Sequence, residues 1–502
     1  MASKNFLLPI GLTAFSALSL AQNASKPVNV IFFMADDLGW TDLGCYGSKF
    51  YETPNLDQLA KEGIRFTNAY ASCPVSSPSR ASFQTGKYPT RVGITDYIPG
   101  RYNLPKGRAE IQKTCPFLPP DIVLNMPLEE VTIGEMLQKN GYKTAHIGKW
   151  HLSEDSTYFP QFQGYDINIA GNSKGSPSYE GGGYFLPYNN PNLKDGPKGE
   201  YLTDRLGDEC VKIIQQYQND PFFISFPFYQ VHTPLMGKPD KVKYFQEKAH
   251  QMGLDTIKYI YDENPEWKAK QPFKQNGFHE RMIQSNPVFA AMIASMDENL
   301  GKVIAELKRL GLYDNTIIVF TSDNGGLSTA ESSPTSNKPL RAGKGFMYEG
   351  GIRVPLIAKW KGHFPENKTS ENIVSTIDYF PTLLDLLDIN KPDSLLIDGI
   401  SVKSSFEGKN QNRGSIFWHY PHYPNQGGRL AGAIREGDYK LIEFFDNNTV
   451  ELYNIKKDIS EKHDLSKIDT ERTATMLKKL QDWRVSVKAK MPINDLKNFQ
   501  KQ

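Results

Sequence analysis

The sequence predicts an α/β protein, one large sheet between layers of helices, followed by a smaller α+β domain built on a short antiparallel sheet. Runs such as Val28-Asn-Val-Ile-Phe-Phe-Met34 and Thr316-Ile-Ile-Val-Phe320 are β-rich and apolar on successive residues, as strands buried on both faces are. Between them lie helical stretches with start and stop signals. In Thr53-Pro-Asn-Leu-Asp-Gln-Leu-Ala-Lys-Glu-Gly63, threonine precedes a first-turn proline and glycine ends the run. From about residue 400 the character changes. Segments 415–420, 431–445 and 450–453 read as antiparallel strands with a hairpin at Glu436-Gly437-Asp438, and a charged helix over 470–489 closes the chain.

A chain of 502 residues is long enough for a large core and for more than one small domain. Lys plus Arg number 58 against 56 Asp plus Glu, so there is no basic excess of the kind that nucleic-acid binding needs. At the N-terminus Lys4 precedes an apolar or small run from Phe6 to Leu20, and Ser19-Leu20-Ala21 places small residues where an export signal is cleaved. That run is too short and interrupted for a membrane span, and no later run reaches its length. The expectation is an exported, periplasmic or secreted protein with no transmembrane segment, cleaved near Ala21. Cys45, Cys73, Cys115 and Cys210 have no Cys-x-x-Cys spacing, which argues against a zinc ribbon or a dense disulfide framework.

In chain order, the first strand runs into Asp36-Asp37. Open α/β sheets place ligands at the carboxyl ends of their strands, and adjacent carboxylates buried there need a cation between them. All-oxygen ligands favour Ca²⁺ or Mg²⁺; a solvated turn is the plainer alternative. After a helix over Val131–Gly141, Tyr142–His151 reads as a strand with a polar end. In extended chain Lys149 and His151 point to one side, which suits an anion pocket holding an acid or base. Residues 164–199, rich in Gly, Ser, Asn and Pro, read as loops over a site. A helix over Thr203–Gln218 precedes the apolar run Pro221–Tyr229, which lands on His232. Residues 236–285 read as an insertion of short helices, and Pro287 to Leu310 as a long one. The strand at 316–320 ends in Asp323-Asn324, mirroring Asp36-Asp37. Ser336–Pro355 combines glycines with the cations Arg341, Lys344 and Arg353 but lacks the G-x-x-x-x-G-K-[ST] of a Walker loop. A strand at Val354–Ile357 and a helix at Thr376–Leu387 follow.

The most informative stretch is Cys73-Pro-Val-Ser-Ser-Pro-Ser-Arg-Ala-Ser-Phe-Gln-Thr-Gly-Lys87. It offers a small nucleophile at Ser76, a rigid turn at Pro78 and, at Arg80, a guanidinium whose planar fork suits a tetrahedral oxyanion. Because proline disfavours helix at its neighbour, the helix is expected to begin beyond Pro78. Ser76-Ser-Pro78-Ser-Arg80 with Thr85-Gly86 resembles the signature of type I sulfatases, Cys or Ser, any residue, Pro, any residue, Arg, then Thr-Gly. Ser76 makes this a serine-type variant. Reading from Cys73 puts Val75 where proline is required and Ser77 where arginine is required. The motifs follow the family's order from residue 34 to about 355 and continue more weakly through Arg435-x-Gly-Asp-x-Lys440.

The resemblance implies an alkaline-phosphatase-like large mixed sheet and a sulfuric ester hydrolase. It divides the chain into a signal peptide (1–21), a catalytic domain (22–400) and a C-terminal α+β subdomain (401–502) that contributes to the substrate pocket. It also implies that a formylglycine-generating maturase oxidises Ser76 to 3-oxoalanine. Asp36, Asp37, Asp323, Asn324 and an oxygen of the modified Ser76 would hold one Ca²⁺. Arg80 and Lys149 would stabilise the formylglycine and the sulfate, Lys344 would contact sulfate oxygens, His151 would act on the aldehyde diol, and His232 would sit at the leaving oxygen. The expected substrate is a sulfated saccharide. Residues Trp418 to Arg429 gather stacking faces, donors and a cation, and resemble a loop of bacterial exo-sulfatases acting on galactose or N-acetylgalactosamine sulfated at O4. On that reading His419, His422 and Arg429 join Asn337 and Arg341 in binding substrate. Two alternatives stay open. A phosphoric-ester or phosphonate hydrolase of the same superfamily would typically use two metals, whereas the carboxylates here suffice for one; a non-catalytic sulfoglycan-binding protein would leave Ser76 unmodified.

Overall fold

Every residue of the first strand is buried, and this places it in the middle of a sheet covered on both faces. The computed structural model describes residues 27–178, 181–257, 261–263 and 279–495; the expected export signal lies outside them. Eight strands form the main sheet: β1 (Asn29–Ala35), β2 (Ile64–Tyr70), β3 (Lys143–Ile147), β4 (Ile167–Ile169), β5 (Phe222–Pro227), β6 (Thr316–Ser322), β7 (Arg353–Lys359) and β8 (Lys368–Ser375). Their order is β8-β2-β7-β6-β1-β5-β3-β4. Only β7 runs against its neighbours, β2 and β6; all other pairings are parallel. The carboxyl ends of the other strands therefore share one edge of a mixed sheet.

Alternation along β1 builds the two cores. Ile31, Phe33 and Ala35 pack towards α1 (Pro54–Lys61), α4 (Leu202–Tyr217) and α5 (Pro287–Arg309). Val30, Phe32 and Met34 pack towards α2 (Ser76–Thr85), α3 (Ile133–Lys139) and α6 (Tyr379–Leu386). Phe32 stacks on Phe83 with ring centroids 4.3 Å apart, which fixes α2 against β1. Burying such a ring contributes about 1.5–3 kcal/mol.

The C-terminal sheet is an antiparallel meander of β9 (Ile416–Tyr420), β10 (Ala431–Glu436), β11 (Tyr439–Phe444) and β12 (Thr449–Asn454). One face, through Ile434, Leu441 and Leu452, meets Met476 and Leu480 of α7 (Thr470–Ser486). The other face brings Trp418, Ala433 and Ile442 against Tyr70, Val75 and Phe346 of the main domain. A buried ion cluster pins this contact. Lys440 pairs with Glu349 at 3.0 Å and Glu461 at 2.8 Å, while Glu349 also holds Arg353 at 2.6 Å.

Three expectations change. The helix carrying the signature begins at Ser76, before Pro78. Proline is tolerated there because first-turn N–H groups have no intrahelical acceptor. Among its described residues the insertion contains the helix Pro239–Gln251, and the short strands Tyr261–Glu263 and His279–Arg281 pair antiparallel. Lys149 and His151 lie beyond the end of β3, so strand alternation does not set their direction. Gly148 (φ 115°) turns the chain, and Lys149 N–H then donates to Pro227 O at 2.9 Å. All four cysteines are unpaired thiols, and among the described residues no helix is long and apolar enough to cross a membrane.

A Cβ at Gly148 would lie 2.0 Å from Pro227 O and add left-handed strain. Gly148→Ala is expected to lower the unfolding free energy by about 2–4 kcal/mol, read by denaturant titration with circular dichroism.

Candidate active site

The carboxyl ends of five strands converge. β1 delivers Asp36 and Asp37, β3 Lys149 and His151, β5 His232, and β6 Asp323 and Asn324; β2 leads through a short loop to Ser76 at the start of α2. Lys344 comes from the glycine-rich loop before β7. All of these except His232 are buried outright, and only 16% of the His232 side chain is exposed.

Asp36 accepts from Lys149 Nζ at 2.6 Å through Oδ2 and lies 3.1 Å from Ser76 Oγ through Oδ1. Ser76 Oγ also lies 3.2 Å from Asn324 Oδ1 and accepts from Lys149 Nζ at 3.3 Å. Asp37 holds a left-handed backbone (φ 61°), of the kind that clusters at functional sites, and its N–H donates to Asp323 Oδ1 at 3.2 Å. Its carboxylate accepts from Asn324 Nδ2 at 2.8 Å and Lys344 Nζ at 2.7 Å. Arg80 holds Asp323 Oδ2 through Nε at 2.9 Å and Nη2 at 2.7 Å, and donates to Lys149 O at 3.0 Å.

One oxygen from each of Asp36, Asp37 and Asp323 lies within 4.8 Å of the others. With Asn324 Oδ1 and Ser76 Oγ beside them, the donors are all oxygen, which fits a hard divalent cation. Burial, reinforced by Asp323 and Asp37, pushes the Asp36 carboxyl up to about 8 despite Lys149. Burial acts upward on Asp37 too, but Lys344 and His232 outweigh it and hold that carboxyl well below its usual range. A dication held here would favour the ionised form of Asp36.

The two histidines are poised differently. His151 Nε2 lies 2.7 Å from Ile98 O and so carries the proton, which leaves buried Nδ1 without a partner as an acceptor. His232 Nδ1 lies 2.7 Å from Thr233 O, so its bare Nε2 sits 3.7 Å from Asp37 Oδ2. Burial, then Lys149, depresses His151 well below the ordinary range; burial and Lys344 lower His232 to about 4 against the pull of Asp37. Both imidazoles are neutral at pH 7.

A cavity of about 540 Å³ opens over this cluster. Ser76, His151, His232 and Lys344 line it together with Tyr97, Lys174, Glu331, Asn425 and Gln426. The structure thus brings together the residues predicted for the nucleophile, the metal and the sulfate. It does not bring the five predicted substrate-binding residues to the cavity. Asn337 is buried and donates to Gly326 O and Ala342 O, while Arg341 stacks over Tyr348 and donates to Glu461 O. His419 lies against Lys490 O, His422 against Thr95 Oγ1 at 2.9 Å, and Arg429 is clamped by Asp446. The predicted loop does reach the cavity, but through Asn425 and Gln426, because the chain between β9 and β10 turns its tip inward and leaves the histidines behind it. Lys174 falls within the stretch predicted to cover a site, whereas Tyr97 and Glu331 carried no signal in the sequence.

An α/β sheet whose strand ends surround a hydroxyl with buried carboxylates, cations and neutral imidazoles defines a hydrolase for anionic esters. A family model described as Sulfatase matches residues 28–389, and one described as N-sulphoglucosamine sulphohydrolase, C-terminal, matches residues 342–489. The chain belongs to the sulfatase family, whose members are sulfuric ester hydrolases. It is 31% identical to a sulfatase of Formosa agariphila, covering 88% of this chain and 84% of that one. It is 30% identical to the N-acetylgalactosamine-6-sulfatase of Rattus norvegicus, covering 80% of this chain and 69% of that one. The crystal structure of Ps i-CgsB in complex with k-i-k-neocarrahexaose superposes with a TM-score of 0.71 at 30% identity, covering 91% of this chain and 93% of that one.

Removing the cation beside His232 favours its protonated form. Lys344→Met is expected to raise the His232 midpoint from about 4 towards the ordinary 6.5, followed by NMR titration of the imidazole protons.

Proposed function

We propose that this protein removes sulfate from carbohydrates with a formylglycine made from Ser76, and that Asp36, Asp37, Asp323 and Asn324 hold one Ca²⁺ beneath the ester. The observation that carries this reading is the position of Ser76 Oγ, at the cavity floor between Asp36, Asn324 and Lys149. The hydrated aldehyde would supply a second hydroxyl on one carbon, so that sulfate can be expelled and the aldehyde restored, which a serine ester does not allow. The cation would add positive charge under the sulfate oxygens.

The chain's own groups divide the remaining work. Lys344 reaches the sulfate from the cavity wall, while Lys149 and Arg80 keep positive charge beneath residue 76. His151 Nδ1, already free of a partner, takes a proton from a hydroxyl at residue 76. His232 gives a proton to the departing alcohol; an anionic ester seated beside it raises its proton affinity above that of the free enzyme.

The relatives named for N-acetylgalactosamine-6-sulfate and the neighbour solved with neocarrahexaose support a galactose or N-acetylgalactosamine unit as substrate. The finer proposal is exo action at a 4-O-sulfate, which rests on the resemblance of the loop from Trp418 to Arg429, of which Asn425 and Gln426 line the cavity. Rates on matched 4-O- and 6-O-sulfated sugars test it; preference for the 6-O isomer overturns the position but not the class. The proposal includes export under the residue 1–21 signal and a maturase acting on Ser76. The phosphoric-ester alternative is addressed by comparing matched sulfate and phosphate monoesters. Among the described residues a single carboxylate cluster is found, which favours one ion and hence sulfate.

The decisive experiment is the mass of the tryptic peptide Phe66–Arg80 from protein made in its own host. A peptide two hydrogens lighter than encoded, with the loss at Ser76, is expected; an unmodified peptide moves the reading to a sulfoglycan-binding role. Ser76→Ala should cut turnover by about 10³-fold or more.

Calcium should raise unfolding stability by about 2.7 kcal/mol at a hundredfold excess over its Kd, and Asp323→Asn should abolish the gain in the same thermal assay. Equal gains in both proteins would place the ion elsewhere.

A further inference from the structure

A second cavity, of about 690 Å³, shares no lining residue with the catalytic one. It opens where the main sheet breaks register. On one side of β2 the pairing jumps between Val354 and Leu356, and on the other between Ser370 and Ile373, so that both ladders are irregular around Thr67 and Asn68. Such bulges re-aim side chains and interrupt pairing. The hairpin between β10 and β11 closes the opposite wall through Gly437 and Asp438.

Three arginines line this space, and they are not equivalent. Arg353 is neutralised by Glu349 at 2.6 Å and Arg413 by Asp378 at 2.8 Å. Arg435 is only 3% exposed and forms no salt bridge among the described residues, although Asp438 and Glu461 favour its charge from further off. Its Nε donates to Gly437 O at 3.2 Å and its guanidinium lies over the Tyr70 ring at 4.9 Å, but its Nη1 has no partner. The indole Nε1 of Trp40, which lines the same cavity, also has none. Unpaired buried charge is costly, and so is an orphaned buried donor. Both vacant groups donate, so whatever completes them must accept. The guanidinium charge selects an oxyanion over a neutral acceptor. The walls also carry Lys456 and the carboxylates of Glu371 and Asp438, so opposite charges partly offset one another around Arg435 and a polyanion is disfavoured.

We propose that this cavity is a second ligand site, which receives a sulfate or carboxylate oxyanion at Arg435 and Trp40 while hydrolysis proceeds in the other cavity. The oxyanion can arrive as a free ion or as a group carried on a saccharide.

Calorimetric titration of the full chain separates these sources, with Ser76→Ala as the common background so that no heat of turnover arises. Inorganic sulfate filling two sites identifies a free-anion site; a sulfated oligosaccharide filling two while inorganic sulfate fills one identifies a glycan-borne group. Arg435→Met is expected to weaken the second site by at least about tenfold, as loss of a charge-assisted contact should. Asn410→Trp, at an exposed lining residue with Arg435 left in place, should fill the space and give the same loss. With Ser76 present, unchanged turnover of a small aryl sulfate by both variants shows that the fold and the hydrolytic site are intact. One site for both ligands in the unsubstituted background, or a second site unaltered by either substitution, overturns the proposal.

Discussion

The structure depends on neutralising three carboxylates that are buried at the edge of an apolar sheet. Asp36, Asp37 and Asp323 would each be strongly unfavourable alone, and breaking one partner of a buried pair costs about 3–5 kcal/mol. Arg80, Lys149 and Lys344 answer them one to one at 2.6–2.7 Å, and each cation comes from a different part of the chain. A sheet with parallel neighbours makes this arrangement available. It points successive strand ends the same way, so groups far apart in sequence meet without long loops. These same charges are the ones that an ester anion and a metal would engage.

A second set of buried charges decides how the smaller sheet is held. Glu349 stands between Arg353 and Lys440, and Glu461 approaches Lys440 from beyond β12. Glu349 precedes Gly350 and Gly351, whose backbone lies so close to Gly325 that a Cβ on Gly325 would come within 1.9 Å of Gly350 O. Gly325 follows Asp323-Asn324 directly. The C-terminal sheet is thus coupled through one glutamate and two glycines to the strand end that carries the metal-type ligands.

The elements that burial alone dictates were readable in the sequence. A doubly buried strand must be apolar throughout, so an acid pair at its end stands out, as at Asp36-Asp37 and Asp323-Asn324. The start of α2 was not readable, because the rule against proline in helices relaxes in the first turn, where Pro78 lies. Lys149 and His151 were assigned to the site, but for a reason that the backbone does not follow; left-handed residues at Gly148 and His151 aim them. The sugar-facing wall was the least legible part. His419, His422 and Arg429 have the chemistry of sugar contacts, yet they are engaged with Lys490 O, Thr95 Oγ1 and Asp446. Tyr97 and Glu331 reach the cavity only through the path of loops that carry no periodic pattern.

The carboxylate cluster also sets the order in which the chain can come together. Its contacts join Asp37 to Asp323 across 286 positions and to Lys344 across 307, with Ser76 bound to Asn324 across 248. Closing such distant pairs is slow, because chain entropy is lost before the contacts reward it. Until the loop before β7 arrives, Asp37 at the end of β1 lacks Lys344, the cation that answers it. The site is therefore a late clasp on the folding route. A nascent chain that has emerged only as far as α5 has neither Asp323 nor Lys344 to close it.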